Sequence, residues 1–174
     1  MPIRPATSSD AEAIAQVHVA SWQHAYRHIL PPVFLAGLSV EKRQDMWAES
    51  IATDRPHVLV AEVDGRVVGF SAFGPCRDED ASDAAFEIWA IYLAPSHWSQ
   101  GLGRKLWLAS REALLKRGAS SISLWVIAGN ERAIRFYATA GFKPEPESLK
   151  PFELGGVQVQ EVRFGLRLQG ERYA

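Results

Sequence analysis

Hydrophobic and polar positions along this chain follow strand and helix periods in turn, and one stretch combines both. An apolar run of strand length begins at Phe86 and is interrupted by one carboxylate, Glu87. Pro95 ends this strand, because proline has no N–H to give to a ladder. The turn Gly101-Leu102-Gly103 follows, and a helical pattern starts at once. This succession predicts an anion site, since the N–H groups of a first helical turn are unpaired and glycines let a ligand approach them.

The N-terminal part of the chain predicts a short strand and two helices. Residues 2–6 favour a strand, and Ser9 with Glu12 has the spacing of a capping box, which satisfies unpaired N–H groups at a helix start. Two neighbouring apolar stripes then continue at helical spacing. They consist of Ile14, Val17 and Ser21, and of Ala15, Val19, Trp22 and Tyr26. Pro31-Pro32 breaks the pattern, and residues 40–51 predict the second helix.

Two strand-like runs, residues 57–63 and 66–73, are joined only by Asp64-Gly65. Both turn residues tolerate positive φ, so the pattern predicts a hairpin. The polar and acidic residues 75–82 then indicate a loop ahead of the strand at Phe86.

The C-terminal half alternates helices with strands. Four apolar residues continue the helix after the glycine turn, namely Leu102, Leu106, Ala109 and Ala113, and Gly118 suits its C-terminal end. Residues 121–127 predict a strand, and strand, helix and strand in this order imply a parallel, right-handed crossover. A further helix begins after the N-cap Asn130 and ends at Gly141, and residues 152–168 form a closing hairpin.

The predicted order is therefore β-α-α-β-β-β-α-β-α-β-β. It indicates an α+β fold, with a mixed, mostly antiparallel sheet that contains one central parallel step and carries helices on both faces. The chain is long enough for one sizeable core, so we expect one domain over residues 1–174.

The composition of the chain limits the classes of binding partner and the cellular compartment that we expect. With 19 Lys+Arg against 20 Asp+Glu, the net charge of -1 implies no attraction to nucleic acid or to a membrane surface. One cysteine excludes an internal disulfide framework and fits a reducing compartment. The first residues lack the apolar core of a signal peptide, and no apolar run approaches the roughly 20 residues needed to span a bilayer. We therefore expect a cytoplasmic protein.

The glycine turn fits neither common nucleotide motif. A dinucleotide fingerprint needs a third glycine where this chain has Leu106, and a P-loop needs Gly-Lys-Ser/Thr where it has Gly103-Arg104-Lys105. Two interpretations remain: a turn that cradles a diphosphate on the N–H groups of residues 99–104, or a tight turn without a ligand.

Two sequence blocks favour the ligand by resemblance. The run from Glu87 to Gly103 resembles the central motif of the GNAT N-acetyltransferase superfamily, in which an apolar strand leads into Arg/Gln-x-x-Gly-x-Gly/Ala and binds acyl-coenzyme A. Residues 130–142 are similar to the family's second signature, Asn-x-x-Ala-x-x-Phe-Tyr-x-x-x-Gly-Phe. The order and spacing of the blocks also match, and the resemblance covers essentially the whole chain. One position departs, because Trp98 stands where the family usually has Arg or Gln.

The resemblance implies acetyl-CoA as cosubstrate. It assigns coenzyme binding to Ile91, Tyr92 and Leu93 for the pantetheine arm, to Ser99, Gln100, Gly101, Leu102, Gly103 and Arg104 for the diphosphate, and to Asn130. The implied reaction is direct attack of an amine on the thioester in a ternary complex. A non-catalytic acyl-CoA-binding or sensing module is the alternative.

Two residues are candidates for the proton transfers. An alkyl amine with a pKa near 10 must lose a proton before it attacks, and Glu87 is the candidate base, directly or through a water. The plainer interpretation of Glu87 is a carboxylate that only makes structural hydrogen bonds. The leaving thiolate needs a proton, and Tyr137, placed by the resemblance near the sulfur, can donate one, although its ring also suits the core.

The amine acceptor, a small molecule or a peptide N-terminus or lysine, is the least readable part. Trp22, Tyr26 and His28 could rim its pocket, although aromatic pairs one helical turn apart also pack in cores. His24 and His28 have metal-ligand spacing, but Ala25 replaces the glutamate of a zinc-protease motif, so no metal is expected. Edge pairing of the C-terminal hairpin could form a homodimer.

Overall fold

A seven-stranded mixed sheet forms the centre of the computed structural model, which describes residues 2–168. The strands are β1 (Ile3–Pro5), β2 (His57–Val63), β3 (Arg66–Pro75), β4 (Ala85–Leu93), β5 (Ser121–Ile127), β6 (Lys143–Leu154) and β7 (Val157–Arg167). The helices are α1 (Ala11–Ala25), α2 (Pro32–Ala36), α3 (Val40–Thr53), α4 (Leu102–Lys116) and α5 (Glu131–Thr139). The strand order is β1-β2-β3-β4-β5-β7-β6.

The sheet separates at its one parallel step. β4 pairs with β5 only through Ala85, Phe86 and Glu87, opposite Ser121 to Ser123. β4 stays paired with β3 as far as Leu93, while β5 stays paired with β7 as far as Ile127. Beyond Glu87 the two strands therefore diverge, and the facing edge of β4 has no strand partner. This confirms the predicted mixed sheet and places an opening at its centre.

Apolar side chains cover both faces of the sheet. On one face, α1 and α3 pack on β2 to β4 around Ile14, Val60 and Phe70, all fully buried. On the other face, α4 and α5 pack on β4 and β5 around Leu114 and Ile122. The two layers hold the divergent strands from both sides, so the opening is rigidly framed.

Most predicted elements are confirmed, including both hairpins, but the structure corrects three local predictions. The capping contact at the first helix is made by Asp10, whose carboxylate accepts from the N–H of Thr7 at 2.7 Å, and not by Ser9 and Glu12. The segment after Pro31 forms the short helix α2, because proline suits a first helical position. The α4 stripe continues mainly through Ser110 and Leu114, both fully buried, whereas the predicted Ala109 and Ala113 are only half-buried at its edge.

No helix among residues 2–168 is both long and apolar enough to cross a bilayer.

Candidate active site

A cleft of about 580 Å³ fills the opening between the divergent parts of β4 and β5. Its walls come from the C-terminal half of β4, the turn before α4, one face of α5 and the end of α1. The wall residues include Ile91, Tyr92, Leu93, Ser99, Gly101, Gly103, Arg104, Asn130, Tyr137 and Tyr26. The structure thus brings together most of the residues that the sequence assigns to coenzyme binding.

The turn at the N-terminus of α4 presents unpaired donors to this cleft. Gly101 has φ 79° and ψ -3°, a left-handed conformation that favours glycine, and no side chain caps the helix. By contrast, Ser39 caps α3 and Asn130 caps α5 with side-chain oxygens. A Cβ on Gly101 would meet nothing within 4 Å, so the space before the helix is open. The first-turn N–H groups can therefore bind an anion.

Charge in the cleft favours the same ligand. Arg104, Arg132 and Arg135 lie on its walls. Among residues 2–168, none of these three arginines forms an ion pair with a carboxylate. Three uncompensated cations beside an uncapped helix end are the chemistry that a phosphate group needs.

The side chains of two predicted binding residues, Gln100 and Leu102, do not line the cleft. The Gln100 side chain turns away and donates to the carbonyl of Ser96 at 3.0 Å, and Leu102 is buried beneath the turn at 1% exposure. Their N–H groups still belong to the turn. Trp98 lines the cleft, and its indole N–H donates to the carbonyl of Leu93 at 2.8 Å.

Tyr137 faces the cleft from α5 and is 9% exposed. Tyr26 and Tyr92 line the same cleft, and burial raises the pKa of all three hydroxyls. Each tyrosinate would also repel the others, so the three groups stay protonated at neutral pH. The Tyr137 hydroxyl makes no hydrogen bond to another of residues 2–168 and is free to donate to a ligand.

Glu87 lies at the apex of the opening, not on its walls. It is the last residue of β4 that pairs with β5, and it is 1% exposed. Arg77 holds both carboxylate oxygens, with Nη2 at 2.5 Å from Oε1, and with Nε and the backbone N–H each at 3.1 Å from Oε2. Sequence reasoning missed Arg77, because no pattern links the two residues. The catalytic role of Glu87 stays a prediction.

The three residues predicted to bind the acceptor lie in different environments, and only one of them is on the cleft wall. Tyr26 is on the wall, and Trp22 packs behind it with ring centroids 5.0 Å apart. The Trp22 indole N–H is buried near the Tyr92 hydroxyl without hydrogen-bonding geometry. His28 is exposed outside the cleft and accepts from Arg27 at 3.0 Å. No group of three His, Cys, Asp or Glu side chains suited to a metal occurs within residues 2–168.

A second cavity of about 710 Å³ lies at the opposite ends of β4 and β5. Three carboxylates on its wall pair with Arg163, namely Asp78, Asp80 and Glu145 at 3.1, 3.0 and 2.6 Å, so this arginine is not available to an anion. Burial raises the pKa of the Cys76 thiol on its wall, which makes a thiolate nucleophile there unfavourable. This cavity therefore suits an anionic coenzyme less well than the cleft does.

Comparison with known proteins identifies the class. A sequence profile described as "Acetyltransferase (GNAT) family" matches residues 19–142, and the chain belongs to this family. The uncharacterized N-acetyltransferase YuaI of Bacillus subtilis (strain 168) is 37% identical over 164 residues, which are 94% of this chain and 91% of that protein.

Two solved structures show the same fold. Ribosomal-protein-alanine N-acetyltransferase from Brucella melitensis matches with a TM-score of 0.76 at 24% identity, over 97% of this chain and 100% of that one. The putative acetyltransferase yncA from Salmonella typhimurium, solved with its cofactor acetyl-CoA, matches with a TM-score of 0.75 at 23% identity, over 100% and 97%.

The protein is therefore an acetyl-CoA-dependent N-acetyltransferase with an amine acceptor. This assignment favours the enzyme over a non-catalytic binding module. The residues present fit the coenzyme, because the uncapped turn, the space before Gly101 and the unpaired arginines all suit its phosphates.

Proposed function

We propose that this enzyme acetylates a primary amine by direct attack on the thioester of acetyl-CoA bound in the cleft between β4 and β5. The observation that carries the proposal is the meeting, in one cleft, of an uncapped helix N-terminus, three unpaired arginines and the free hydroxyl of Tyr137.

The pantetheine arm is assigned to the open edge of β4. Ile91, Tyr92 and Leu93 lie beyond the point where β5 leaves the strand, so their outward backbone groups have no ladder partner on that side. An extended, amide-containing chain can supply the missing hydrogen bonds, much as an added strand would. Asn130 faces this edge from the start of α5 and also caps that helix, accepting from the N–H of Ala133 at 3.2 Å.

Tyr137 is assigned the proton transfer to the leaving group. When the amine nitrogen bonds to the thioester carbon and the carbon–sulfur bond breaks, the sulfur leaves with the electron pair. A hydroxyl that is protonated and otherwise unbonded can donate to that sulfur. Burial raises the pKa of Tyr137, which makes full transfer of its proton to the thiolate less favourable. The same burial strengthens the hydrogen bond from the hydroxyl to the thiolate, because little water competes for it.

Glu87 is assigned the proton of the ammonium, through a water at the apex of the opening. Its position away from the walls disfavours direct contact with the acceptor. The clasp by Arg77 occupies part of the hydrogen-bonding capacity of the carboxylate. A carboxylate has about four lone-pair sites, so the three donors from Arg77 leave one that can still serve a water.

The acceptor is assigned to the end of the cleft near Tyr26, where the C-terminus of α1 meets β4. We also place the enzyme in the cytoplasm, because its one cysteine is a free thiol.

Coenzyme-thiol release across a panel of amines tests the function. The panel should hold simple amines, polyamines, aminoglycosides and peptides, including a peptide that begins with alanine, since the Brucella relative is named for that acceptor. We expect at least one class to release thiol in an enzyme-dependent manner, with an equal amount of acetylated amine. Tight acetyl-CoA binding with no turnover on any member would contradict the proposal.

A further inference from the structure

The turn before α4 lacks a polar side chain at position 98 and has a cation beside it instead. In the resemblance described above, Trp98 stands at the position where the family motif has Arg or Gln. Arg132, from the first turn of α5, lies over the Trp98 ring with its guanidinium carbon 4.3 Å from the ring centroid. The same guanidinium donates from Nη2 to Oγ of Ser99 at 3.2 Å.

Both supports of Arg132 are themselves fixed. The Trp98 indole N–H is bound to the carbonyl of Leu93, and the edge of the ring meets His24 with centroids 4.8 Å apart. Ser99 sits in the turn with φ 60°, a conformation that few residues with side chains adopt. The indole is therefore a platform anchored to β4 and α1, and Ser99 fixes the direction of the guanidinium.

The N–H donors of Arg132 that have no protein partner are suited to binding an anion. A guanidinium has five N–H donors in one plane, and stacking on a ring leaves that plane free. One donor serves Ser99, and no carboxylate among residues 2–168 pairs with this arginine. Arg132 also shares the cleft wall with Gly101 and Arg104, beside the unpaired N–H groups of α4.

We propose that Arg132, seated on Trp98, is the phosphate-binding cation of this coenzyme site and replaces the side chain that position 98 usually supplies. The inference rests on the proposed coenzyme site and adds a residue and a platform to it. Its ligand is a phosphate of the coenzyme, either in the diphosphate or at the ribose 3′ position.

Calorimetric Kd values for coenzyme A test the cation. Because Arg132 is exposed, the Arg132→Ala variant should fold normally. We expect this variant to bind coenzyme A about tenfold to hundredfold more weakly, which is the effect of losing a hydrogen bond to a charged group. Lys105→Ala is the charge control, because it removes one exposed positive charge from the first turn of α4 at a side chain that does not line the cleft. Equal losses in the two variants would overturn the proposal, as would unchanged binding by Arg132→Ala.

Truncated ligands identify the phosphate. If the loss persists with 3′-dephospho-coenzyme A, Arg132 binds the diphosphate, and if it disappears, Arg132 binds the 3′-phosphate. With acetyl-pantetheine as donor, which has no phosphate beyond the arm, the ratio of kcat/KM between wild type and Arg132→Ala should be near one. An undiminished loss with that donor would show a general defect and contradict the proposal.

The platform is tested by a double-mutant cycle. We expect Trp98→Ala to weaken coenzyme binding and Trp98→Phe, which keeps a ring, to weaken it less. The Trp98→Ala and Arg132→Ala losses should be less than additive, because both act on one contact. Trp98→Arg in the Arg132→Ala background should recover part of the affinity. Full additivity together with no recovery would refute the coupling. Failure of wild type to bind coenzyme A would instead refute the proposed function.

Discussion

Tyr137 and Glu87, the two residues that the sequence assigns to proton transfer, have opposite surroundings. The tyrosine faces the cleft with a free hydroxyl, whereas the carboxylate lies at the apex with both oxygens held by Arg77. The first can meet a substrate without rearrangement. The second must act over a distance or through a water, so substitutions at the two positions should affect the reaction differently.

Removal of the Tyr137 hydroxyl should slow the reaction more than it weakens binding. Tyr137→Phe keeps the ring that packs against Phe136 and Phe142, with centroids 5.1 and 5.7 Å away, and deletes only the donor. We expect kcat to fall at least tenfold with little change in KM for acetyl-CoA, because the donor acts on the developing thiolate. Steady-state kinetics measure both constants. A smaller fall in kcat would show that the tyrosine only lines the cleft.

The role of Glu87 can be separated from its ion pair. Glu87→Gln removes the base and leaves the Arg77 cation, whereas Arg77→Met removes the cation and leaves the base. If Glu87 is the base, the first variant should lose at least tenfold in kcat and the second should retain more activity, although both lose stability. The measurement is kcat for each variant together with its thermal midpoint. Equal losses of kcat that follow the thermal midpoints would assign Glu87 a structural role only.

The residue contacts that the sequence does not predict are those between side chains in different segments of the chain. The Glu87 to Arg77 clasp spans a loop, and the Arg132 to Trp98 stack joins the first turn of α5 to the turn before α4. Neither leaves a periodic pattern. Tyr137, Asn130 and the glycine turn could be predicted, because each belongs to a short block whose spacing is itself the signal.

At the scale of elements, apolar periodicity predicted the long helices and strands well, because each buries one continuous face. It failed where chemistry is local. α2 has five residues, too few for a period to show, and proline was interpreted there only as a breaker. Ser110 is polar but fully buried, since its hydroxyl bonds to Leu106 and to Ser71 at 2.8 Å.

The glycine turn can be tested against the other end of its own helix. Gly101 and Gly118 flank α4 with φ 79° and 83°, and a Cβ on either would meet nothing within 4 Å. Valine at either position should therefore cost similar backbone strain. We expect acetyl-CoA to raise the thermal midpoint of Gly118→Val as in wild type, but not that of Gly101→Val, whose side chain fills the phosphate space.

A further variant removes the strain from this comparison. Gly101→Asn places a side chain in the same space, while asparagine tolerates the left-handed conformation. It should be nearly as stable as wild type without ligand and still lose the acetyl-CoA shift. A normal shift in both Gly101 variants would contradict the cradle assignment.

The edge strand β6 bears on the predicted homodimer. Pro144, Pro146 and Pro151 lie within its twelve residues, and none has an N–H to donate. Prolines on an edge disfavour continuation of a sheet into a second chain. Any dimer of this protein is therefore expected to use a surface other than this edge.

At the scale of the whole molecule, the cleft depends on where two strands stop pairing. A sequence predicts that β4 and β5 are parallel neighbours through the crossover, but not that only three residues of each pair. The length of the β4–β5 pairing depends on how α4 and α5 pack on one face of the sheet and on the β6–β7 hairpin beside β5. The donor site could thus be predicted from its motifs, whereas the depth and walls of the acceptor end could not.

The same packing buries two titratable groups that link stability to acid. His18 is buried under Trp47, Phe70 and Tyr92, and its Nδ1 accepts from the Trp47 indole at 3.1 Å. Burial, with a smaller effect of Arg43, lowers the pKa of His18 from 6.5 to about 3. The Arg4 guanidinium beside Asp10 lowers the pKa of that carboxyl from 3.8 to about 2.

These pKa shifts place acid destabilisation in two windows. Between pH 6.5 and about 3, His18 binds a proton in the unfolded chain but stays neutral in the folded protein. The contribution of His18 to the free energy of unfolding is therefore fully present above pH 6.5, and it decreases by up to about 1.4 kcal/mol for each pH unit below that value. Asp10 adds its loss only from pH 3.8 to about 2, where the unfolded carboxyl takes up a proton first.

His18→Asn tests the upper window. Its amide oxygen can still accept from Trp47, but the group no longer titrates, so only the packing of the ring is lost. Urea unfolding at pH 8 should show the variant less stable than wild type. Between pH 6.5 and pH 4 the difference should narrow by up to about 3 kcal/mol, because only the wild type pays for a neutral histidine. A difference that stays constant over this range would mean that His18 is protonated within the fold, and the buried aromatic layer beneath Tyr92 would then have to admit a charge.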